Sequence, residues 1–218
     1  MPIENFEGKT FVAFLDISGF KDLMKNNDKV IKALDKFYSS GYRVLQKNPN
    51  LNGIFISDSG IIFAKNNKEI ASVFFELLDA IREINSEILA IDVMLTTAVA
   101  YGDFTYRNKI VFPGIEKNAI HGNAYVNAYL ANEKGEPKME PGEVRIISEN
   151  LPIKICDAIS QGSRWIIKKQ GEKYYSFYWM LNSEEKVKKF SDDFKGTYKR
   201  KYAGMLSVLK KYNRDNRG

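Results

Sequence analysis

One stretch near the beginning of the chain sets the pattern of the fold: Phe11-Val12-Ala13-Phe14-Leu15-Asp16-Ile17-Ser18-Gly19-Phe20. The apolar run within residues 9–16 is too short for a helix and predicts a buried β-strand. Asp16 lies where this strand ends. A carboxylate at the exit of a buried strand costs free energy unless another group pairs with it. After Asp16 the chain turns at Ser18-Gly19 toward a helix.

A second stretch repeats this arrangement: Ile54-Phe55-Ile56-Ser57-Asp58-Ser59-Gly60-Ile61-Ile62-Phe63. The pattern predicts two strands, residues 51–57 and 60–64, on either side of a tight turn at Asp58-Ser59-Gly60. Asp58 therefore also lies at a strand end. When two carboxylates occupy comparable strand ends, a divalent cation becomes a serious candidate for their partner.

The order of elements brings these two ends together. Apolar residues at helical spacing predict helices over residues 28–47 and 70–88, and a long strand over 92–104 is expected to return as a hairpin arm over 105–112. The order is then βαββαβ, which predicts an α/β (α+β) sandwich of the ferredoxin-like kind. In this topology the first helix carries the chain back across the sheet. Asp16 and Asp58 are therefore expected at the same edge of one sheet.

The remaining elements predict a core with an extension. Helix 124–133 and loop 134–142 lead to a strand at 143–148, which completes a core over residues 1–148. Residues 149–218 are expected to pack on that core as an αβ extension. It has a short helix at 153–160, strands at 164–169 and 173–179, and a closing lysine-rich helix.

Composition limits the class of protein. The chain has 218 residues, of which 44% are hydrophobic, enough for one sizeable core. No apolar run approaches the roughly 20 residues that a membrane helix needs. The single cysteine, Cys156, excludes an internal disulfide and a thiolate zinc site. These features favour a soluble cytoplasmic protein.

The formal net charge is +6, and much of the excess lies late in the chain, around Lys186–Lys189 and Lys199–Lys201. Acidic residues such as Glu184, Glu185 and Asp192 are interleaved with these lysines. This alternation favours a solvated helix face over a nucleic-acid surface.

Two carboxylates at one sheet edge suit metal-assisted chemistry. They can hold two Mg²⁺ or Mn²⁺ ions, typically about 3.5–4 Å apart, and Mg²⁺ accepts a few carboxylates together with substrate phosphates. The turn Ile17-Ser18-Gly19-Phe20-Lys21 offers backbone N–H groups and a lysine to a triphosphate. The alternative for each aspartate is an Asx turn that caps a strand end.

Four segments resemble motifs of the class III nucleotidyl cyclases. The first metal motif of that family is similar to Phe14-Leu15-Asp16-Ile17-Ser18-Gly19-Phe20, and the second is similar to Ser57-Asp58-Ser59. The strand that follows resembles Ala98-Val99-Ala100-Tyr101-Gly102. The glycine-led helix that bears the transition-state residues resembles Gly122-Asn123-Ala124-Tyr125-Val126-Asn127-Ala128. Together these segments cover roughly residues 9–148.

Within that superfamily the chain looks most like the pyrimidine cyclases of the Pycsar anti-phage system. Those proteins have an Asp-Ile-x-Gly-Phe motif, a Ser-Asp-Ser motif and an Ala-Tyr pair, found here at Asp16–Phe20, Ser57–Ser59 and Ala128-Tyr129. The resemblance implies two Mg²⁺ or Mn²⁺ ions held by Asp16, Ile17 and Asp58. It also implies a homodimer with active sites at its interface, which makes cyclic UMP or cyclic CMP as a signal of phage infection.

The chain departs from purine cyclases at the positions that read the base. Those enzymes usually have a lysine four residues before the second metal aspartate, where this chain has Ile54, and an acidic residue where it has Ala119. An apolar pocket at Ile54 and Phe55 suits a smaller ring, and UTP is slightly favoured over CTP. The alternative is strand core, which must hold for one of the two, because neighbouring strand residues face opposite sides.

A second departure concerns the transition state. The asparagine and arginine that steady it in the family align with Val126 and Leu130. Asn127 lies one residue away, and Lys134 lies seven residues later, near the same helical face. We therefore take Asn127 and Lys134 as catalytic candidates alongside the two aspartates.

Three other functions stay open from the sequence. A cyclase-like domain without turnover is motivated by the missing asparagine–arginine pair. A palm-type polymerase or nucleotidyltransferase shares the two aspartates at a sheet edge. A nucleic-acid-binding module is motivated only by the basic C-terminal segment.

Overall fold

The computed structural model of the chain describes residues 3–65, 69–112, 115–162, 166–167 and 171–180. The first half of the sheet comes from β1 (Phe6–Ile17), β2 (Leu51–Ile56), β3 (Ser59–Ala64) and β4 (Leu95–Phe112). The other strands are β5 (Ile115–His121), β6 (Val144–Ile147), β7 (Ile166–Ile167) and β8 (Tyr174–Phe177). The helices are α1 (Phe20–Leu23), α2 (Asn27–Lys47), α3 (Ile70–Leu89), α4 (Asn123–Lys134) and α5 (Ile153–Gly162).

All eight described strands belong to one sheet. Seven of them follow the order β2-β3-β1-β4-β6-β8-β7, and β5 pairs with the second half of β4. The pairs among β1, β2, β3 and β4 are all antiparallel, and β4 runs parallel to β6. The predicted βαββαβ order and the α/β sandwich are confirmed.

Side chains of β1 alternate between two apolar layers. Phe11 and Leu15 pack under α2 and α3, together with buried residues such as Phe37, Phe74 and Leu77. Val12 and Phe14 pack on the other face, with a smaller cluster at α4 that includes Phe63, Phe104 and Ala128. Because successive strand residues point to opposite faces, a strand covered on both sides must be apolar throughout, which explains the unbroken run.

The same alternation fixes the side on which Asp16 lies. Val12, Phe14 and Asp16 share one face of β1, and the first two belong to the layer beneath α4. In the antiparallel ladders Asp16 stands opposite Ser59 on β3 and opposite Thr96 on β4. Asp16 is therefore at the α4 face, where the paired region of β1 ends.

The expectation that residues 105–112 return as a hairpin arm is wrong. β4 continues through them as one strand of 18 residues, and the returning arm is β5. The reason is that β1 begins earlier than predicted, at Phe6, which lies opposite Tyr106. Pairing with the first residues of β1 therefore keeps β4 extended past residue 104. In the sequence the turn signal comes only at Pro113-Gly114.

The predicted C-terminal strands contain β7 and β8, and β8 is shorter than the predicted range 173–179. β8 pairs with β6, so residues on both sides of position 148 contribute to one sheet. The Trp179 indole N–H donates to the Gly142 carbonyl at 2.7 Å and fastens the end of this region to the loop before β6. The division at residue 148 stays a prediction, and the lysine-rich helix falls outside the described residues. None of the described helices has the length and apolar character needed to cross a bilayer.

Gly122 is expected to be essential for joining β5 to α4. Its φ is 126°, and a Cβ at this position would collide with the backbone carbonyl of Asp103. Gly122→Ala therefore combines a strained backbone with a clash against another backbone, and we expect it to lower the free energy of unfolding by about 3 kcal/mol or more. Urea unfolding measures the loss.

The matched control is Gly171→Ala. Gly171 also has a positive φ, 83°, but no atom of the described residues lies within 4 Å of the added Cβ. Its cost should be only the left-handed backbone penalty of about 1–2 kcal/mol. Equal costs for the two substitutions would contradict the role given to the clash.

Candidate active site

The two aspartates predicted from the sequence are adjacent in the structure. The Ile17 backbone N–H donates to the Asp58 backbone carbonyl at 2.9 Å, which ties the end of β1 to the turn between β2 and β3. The Ser59 hydroxyl donates to Asp16 Oδ1 at 3.2 Å. Both aspartates thus lie at one edge of the sheet, as the topology predicts, and a short network of backbone and side-chain bonds joins them.

Tyr38 holds the turn that bears Asp58. Ser57, the first residue of this turn, has a φ of 53°, a left-handed conformation that costs a non-glycine residue energy. The Tyr38 hydroxyl, on α2, donates to the Ser57 carbonyl at 3.0 Å. This bond from a long helix to a two-residue turn keeps Asp58 beside β1.

Burial and like charge both act on Asp16. Burial, the largest cause, and the neighbouring Asp58 charge together raise the pKa of the Asp16 carboxyl to about 6, with a smaller effect of Glu133 in the same direction. The hydrogen bond from Ser59 acts the other way and lowers the pKa of Asp16. A carboxylate that is partly desolvated and faces another negative charge is stabilised when a cation binds between them.

The donor set fits one or two hard divalent cations. Carboxylate oxygens are ligands of Mg²⁺ and Mn²⁺, and Mg²⁺ usually keeps several waters and binds through one or two carboxylates plus substrate phosphates. In the described part of the chain, no group of three His, Cys, Asp or Glu side chains is close enough to hold a metal ion. Asp16 and Asp58 therefore provide a two-carboxylate site, to which a substrate would add its own oxygens.

The β1–α1 turn offers fewer free N–H groups than the sequence predicts. The Ile17 N–H is used by Asp58, and the Ser18 N–H donates to the Met94 carbonyl at 2.9 Å. The prediction that Ile17 and Ser18 give backbone N–H groups to a phosphate is therefore wrong, because the sheet edge already uses them. The first N–H groups of a helix have no intrahelical partner, which leaves Gly19 and the start of α1 as the part of the turn open to a phosphate.

The side chains of this turn have different environments. Phe20 is buried in the core under α2 and α3, so it anchors the turn and is not a ligand-facing side chain. Lys21 is exposed, and Gly19 has a φ of 74° that favours glycine. The Ser18 hydroxyl is buried and has no hydrogen-bond partner among the described residues.

Ile54 and Phe55 lie on opposite faces of β2. The Phe55 ring packs edge-on against Phe37 of α2, with 5.0 Å between ring centroids, in a slot where Gly41 leaves room for it. The prediction that Phe55 contacts a base is therefore wrong, since the ring is part of the α2 layer. Ile54 lies on the α4 face, half-buried beside the cluster that contains Phe14, and its contact with a base stays a prediction.

The helix α4 presents different residues on its different sides. Ala124, Ala128 and Asn132 are buried against the sheet, one turn apart from each other. Asn127 faces a groove of about 530 Å³ between α4, β6 and β8, on whose wall Arg145 also lies. Lys134, the last residue of α4, is exposed. Among the described residues, the groups that shift the pKa of Asp16 are Asp58, Ser59 and Glu133, and neither Asn127 nor Lys134 is one of them.

Comparison with solved structures decides the fold family. The adenylyl cyclase CyaB from P. aeruginosa is 15% identical, with a TM-score of 0.57 over 84% of this chain and 99% of that one. The guanylate cyclase domain of RhGC from Catenaria anguillulae, solved with GTP, is 12% identical, with a TM-score of 0.57 over 80% and 96%. The non-canonical dimeric guanylyl cyclase domain of the RhoGC fusion protein from Blastocladiella emersonii is 11% identical, with a TM-score of 0.57 over 80% of this chain and 97% of that one.

This chain has the class III nucleotidyl cyclase fold. No family model matches its sequence, and no curated protein does either. At this low identity the likeness extends to the fold alone. Residue roles must therefore be argued from the site itself.

Three residues near Asp16 were not predicted from the sequence, namely Thr96, Asn132 and Glu133. The Thr96 hydroxyl donates to Asn132 Oδ1 at 3.0 Å, and both side chains are buried. Glu133 follows Asn132 and acts electrostatically on Asp16. One signal was present in the sequence: Asn132 falls on the apolar stripe of α4 at four-residue spacing from Ala124 and Ala128. A polar residue on a buried stripe indicates a specific hydrogen bond.

The pH dependence of stability tests the environment of Asp16. Its folded-state pKa lies above the ordinary value of 3.8, so the folded state loses stability as pH rises from about 4 through about 6. Asp16→Asn removes this loss. Since part of the carboxyl remains open to solvent, we expect the variant to gain about 1–2 kcal/mol over wild type at pH 8, and little at pH 4.

Urea unfolding in metal-free buffer with a chelator measures this difference at both pH values. Asp22→Asn is the matched control, because Lys25 pairs with Asp22 at 2.7 Å and lowers the pKa of that exposed carboxyl. The control should show no gain at pH 8. A loss of stability in Asp16→Asn at pH 8 would contradict the claim that burial and the Asp58 charge destabilise the ionised Asp16 carboxylate.

Proposed function

We propose that this protein is a nucleotidyl cyclase that converts UTP or CTP to the 3′,5′-cyclic monophosphate and pyrophosphate. The observation that supports this best is the placement of Asp16 and Asp58, side by side at one sheet edge of a cyclase fold. Burial and the Asp58 charge raise the pKa of Asp16 to about 6, so the ionised carboxylate is disfavoured unless a cation binds at this edge. The pyrimidine assignment rests on fewer residues and is argued separately below.

The reaction is an intramolecular substitution at phosphorus. The ribose 3′ oxygen attacks the α-phosphorus and loses its proton to solvent, while the bond from the α-phosphorus to the bridging oxygen breaks and pyrophosphate leaves. Holding the 3′ hydroxyl in line with that bond accounts for much of the acceleration, because the attack is within one molecule.

Asp16, Asp58 and the backbone of Ile17 would hold two Mg²⁺ or Mn²⁺ ions. When bound, such ions lower the pKa of an attacking hydroxyl and neutralise leaving phosphate oxygens. The protein's own contribution is to fix the two carboxylates. Ser59 orients Asp16, and the Tyr38 bond to the turn keeps Asp58 in place. We expect the exposed Lys21, five residues after Asp16, to attract the phosphates through its charge.

Ile54 is the remaining support for a pyrimidine substrate. It occupies the position of the base-reading lysine in purine cyclases, lies on the same sheet face as Asp16, and is half-buried beside Phe14. An apolar side chain there gives no hydrogen bond to a purine and leaves room for a smaller ring. Phe55 no longer supports this assignment because it packs under α2. We retain the slight preference for UTP.

A homodimer with active sites at its interface would complete the site. Val126 and Leu130 are 44% and 41% exposed on α4, next to Tyr129, which is 38% exposed. An exposed apolar row on one helix indicates a protein contact, and the guanylyl cyclase domain from Blastocladiella emersonii, which has a similar fold, is described as a non-canonical dimer. In such a dimer Asn127 and Lys134 would stabilise charge in the site of the partner subunit.

The biological role follows from the resemblance to the Pycsar cyclases. We propose that the cyclic pyrimidine nucleotide signals phage infection in the cytoplasm. One observation favours a second function, a domain that binds nucleotide without turnover. Val126 and Leu130 are apolar where the family has its asparagine and arginine, and charge on the transferring phosphoryl group usually requires a cation besides metal.

Incubation with each of the four ribonucleoside triphosphates and Mn²⁺, with products identified by mass, tests the activity. We expect cyclic UMP or cyclic CMP from the wild type. Asp16→Ala and Asp58→Ala should each abolish turnover, a loss of at least about a thousandfold, because neither carboxylate alone can bring metal and phosphate together. Circular dichroism should show that both variants remain folded. The matched control is Asp28→Ala, an exposed aspartate at the start of α2, which should keep full activity.

Each other outcome has a defined meaning. A cyclic purine product would overturn the pyrimidine assignment, and full activity in either aspartate variant would remove the metal pair. Tight triphosphate binding without pyrophosphate release would favour the binding domain. A template-dependent product longer than one nucleotide would place the chain with palm-type enzymes.

Dimerisation is tested by charge on the α4 row. Val126→Asp and Leu130→Asp each place a carboxylate in the proposed contact, and we expect the dimer to dissociate with at least a tenfold rise in its dissociation constant. Sedimentation velocity measures this constant. Ile153→Asp is the control, because Ile153 is 78% exposed on α5 and lies outside the proposed contact. Dimers that survive the α4 substitutions would contradict this interface.

A further inference from the structure

The last turn of α4 is fastened directly above the strand that bears Asp16. Asn132 is buried, and its Oδ1 accepts the Thr96 hydroxyl at 3.0 Å. Its side-chain nitrogen donates, more weakly at 3.5 Å, to the Phe14 carbonyl. Thr96 stands opposite Asp16 in the β1–β4 ladder, and Phe14 lies two residues before it. The buried amide therefore fixes the end of α4 relative to Asp16.

Aromatic contacts show which side of α4 faces Asp16. The Tyr129 ring meets the Phe14 ring edge-on, with 5.3 Å between centroids, and Tyr125 contacts the same ring from 6.4 Å. One helical turn after Tyr129 comes Glu133, and two strand residues after Phe14 comes Asp16. α4 and β1 therefore run alongside each other from the Tyr129–Phe14 contact onward, which places Glu133 near Asp16.

We propose that Glu133 is a third acidic residue of the metal centre, held over Asp16 by the Asn132 anchor. This inference rests on the proposed function, which places metal ions at Asp16 and Asp58. Glu133 is a positioning residue here. It is not grouped with the two aspartates closely enough to ligate one ion with them, and it acts on a bound cation through its charge.

The charge of Glu133 has opposite effects on the empty and the loaded site. Without metal it adds to the repulsion that Asp16 already experiences from Asp58. With a divalent cation bound, the same charge attracts the ion. The residue should therefore strengthen metal binding and slightly weaken the metal-free fold. The negative charge of Glu133 should also repel a triphosphate from this edge until a metal ion is bound.

Mn²⁺ binding without nucleotide tests the proposal. Isothermal titration at pH 8, where Asp16 is ionised, gives the Mn²⁺ dissociation constant of each variant. We expect Glu133→Gln to raise it about threefold to tenfold at low salt, and less at 0.5 M salt, because mobile ions screen a charge that does not touch the metal. Glu136→Gln is the matched control, since it removes an exposed carboxylate just beyond α4 and should change nothing.

Two further measurements separate this role from a merely structural one. Metal-free Glu133→Gln should melt at the same temperature as wild type or higher, since repulsion is relieved. Thr96→Val removes the hydroxyl that anchors Asn132, and we expect it to weaken Mn²⁺ binding in the wild-type background but not in the Glu133→Gln background. Such non-additivity would show that the anchor acts through Glu133.

The outcomes distinguish this inference from the proposed function. Mn²⁺ binding that Asp16→Asn abolishes but Glu133→Gln leaves unchanged would overturn the role of Glu133 alone. An equal loss in Glu136→Gln would also overturn it. Absence of any Asp16-dependent Mn²⁺ binding in the wild type would overturn both the metal pair and its third acidic residue. Because no nucleotide is present, a failure to cyclise triphosphates would leave a positive result intact.

Discussion

The structure is organised around the repulsion between two carboxylates that the backbone holds side by side. The bond from the Ile17 N–H to the Asp58 carbonyl, together with the register that sets Asp16 opposite Ser59, keeps the backbones of the two aspartates next to each other. The free energy of this arrangement is unfavourable in the absence of a cation, as the raised pKa of Asp16 indicates. Proteins keep such unfavourable contacts mainly at sites that bind or react.

The fold supplies the free energy that keeps the carboxylates together. Apolar layers cover both faces of β1, so the strand that ends at Asp16 is held from either side by residues such as Phe11 and Phe14. Tyr38 reaches from α2 to the turn of Asp58, and Asn132 reaches from α4 to the strands around Asp16. Each helix layer thus contributes one polar side chain, Tyr38 or Asn132, that hydrogen-bonds near the two aspartates. These bonds fix the position of the aspartates relative to the helices.

In the function that we propose, two chains complete the site. Asp16 and Asp58 form a negative edge, whereas Asn127 lines a groove on another side of α4. In the described part of the chain, Val126 and Leu130 form an exposed apolar row beside it. A second copy would cover that row and bring a different side of α4 to the metal edge. In the proposed dimer, the partner subunit's Lys134 would bring a cation to the phosphoryl group in addition to Lys21 of the β1–α1 turn.

Local sequence pattern was enough to determine the order of elements and the convergence of Asp16 and Asp58, because alternation of apolar residues and βαββαβ connectivity are both encoded within short windows. Where pairing between distant segments decided the outcome, tertiary structure alone gave the answer. The length of β4 depends on how far β1 extends toward Phe6. The exclusion of Phe55 from the site depends on α2, which lies above it. The N–H groups of Ile17 and Ser18 are not free because they donate to the carbonyls of Asp58 and Met94. Glu133 belongs to the same class, since its closeness to Asp16 comes from helix packing and not from spacing along the chain.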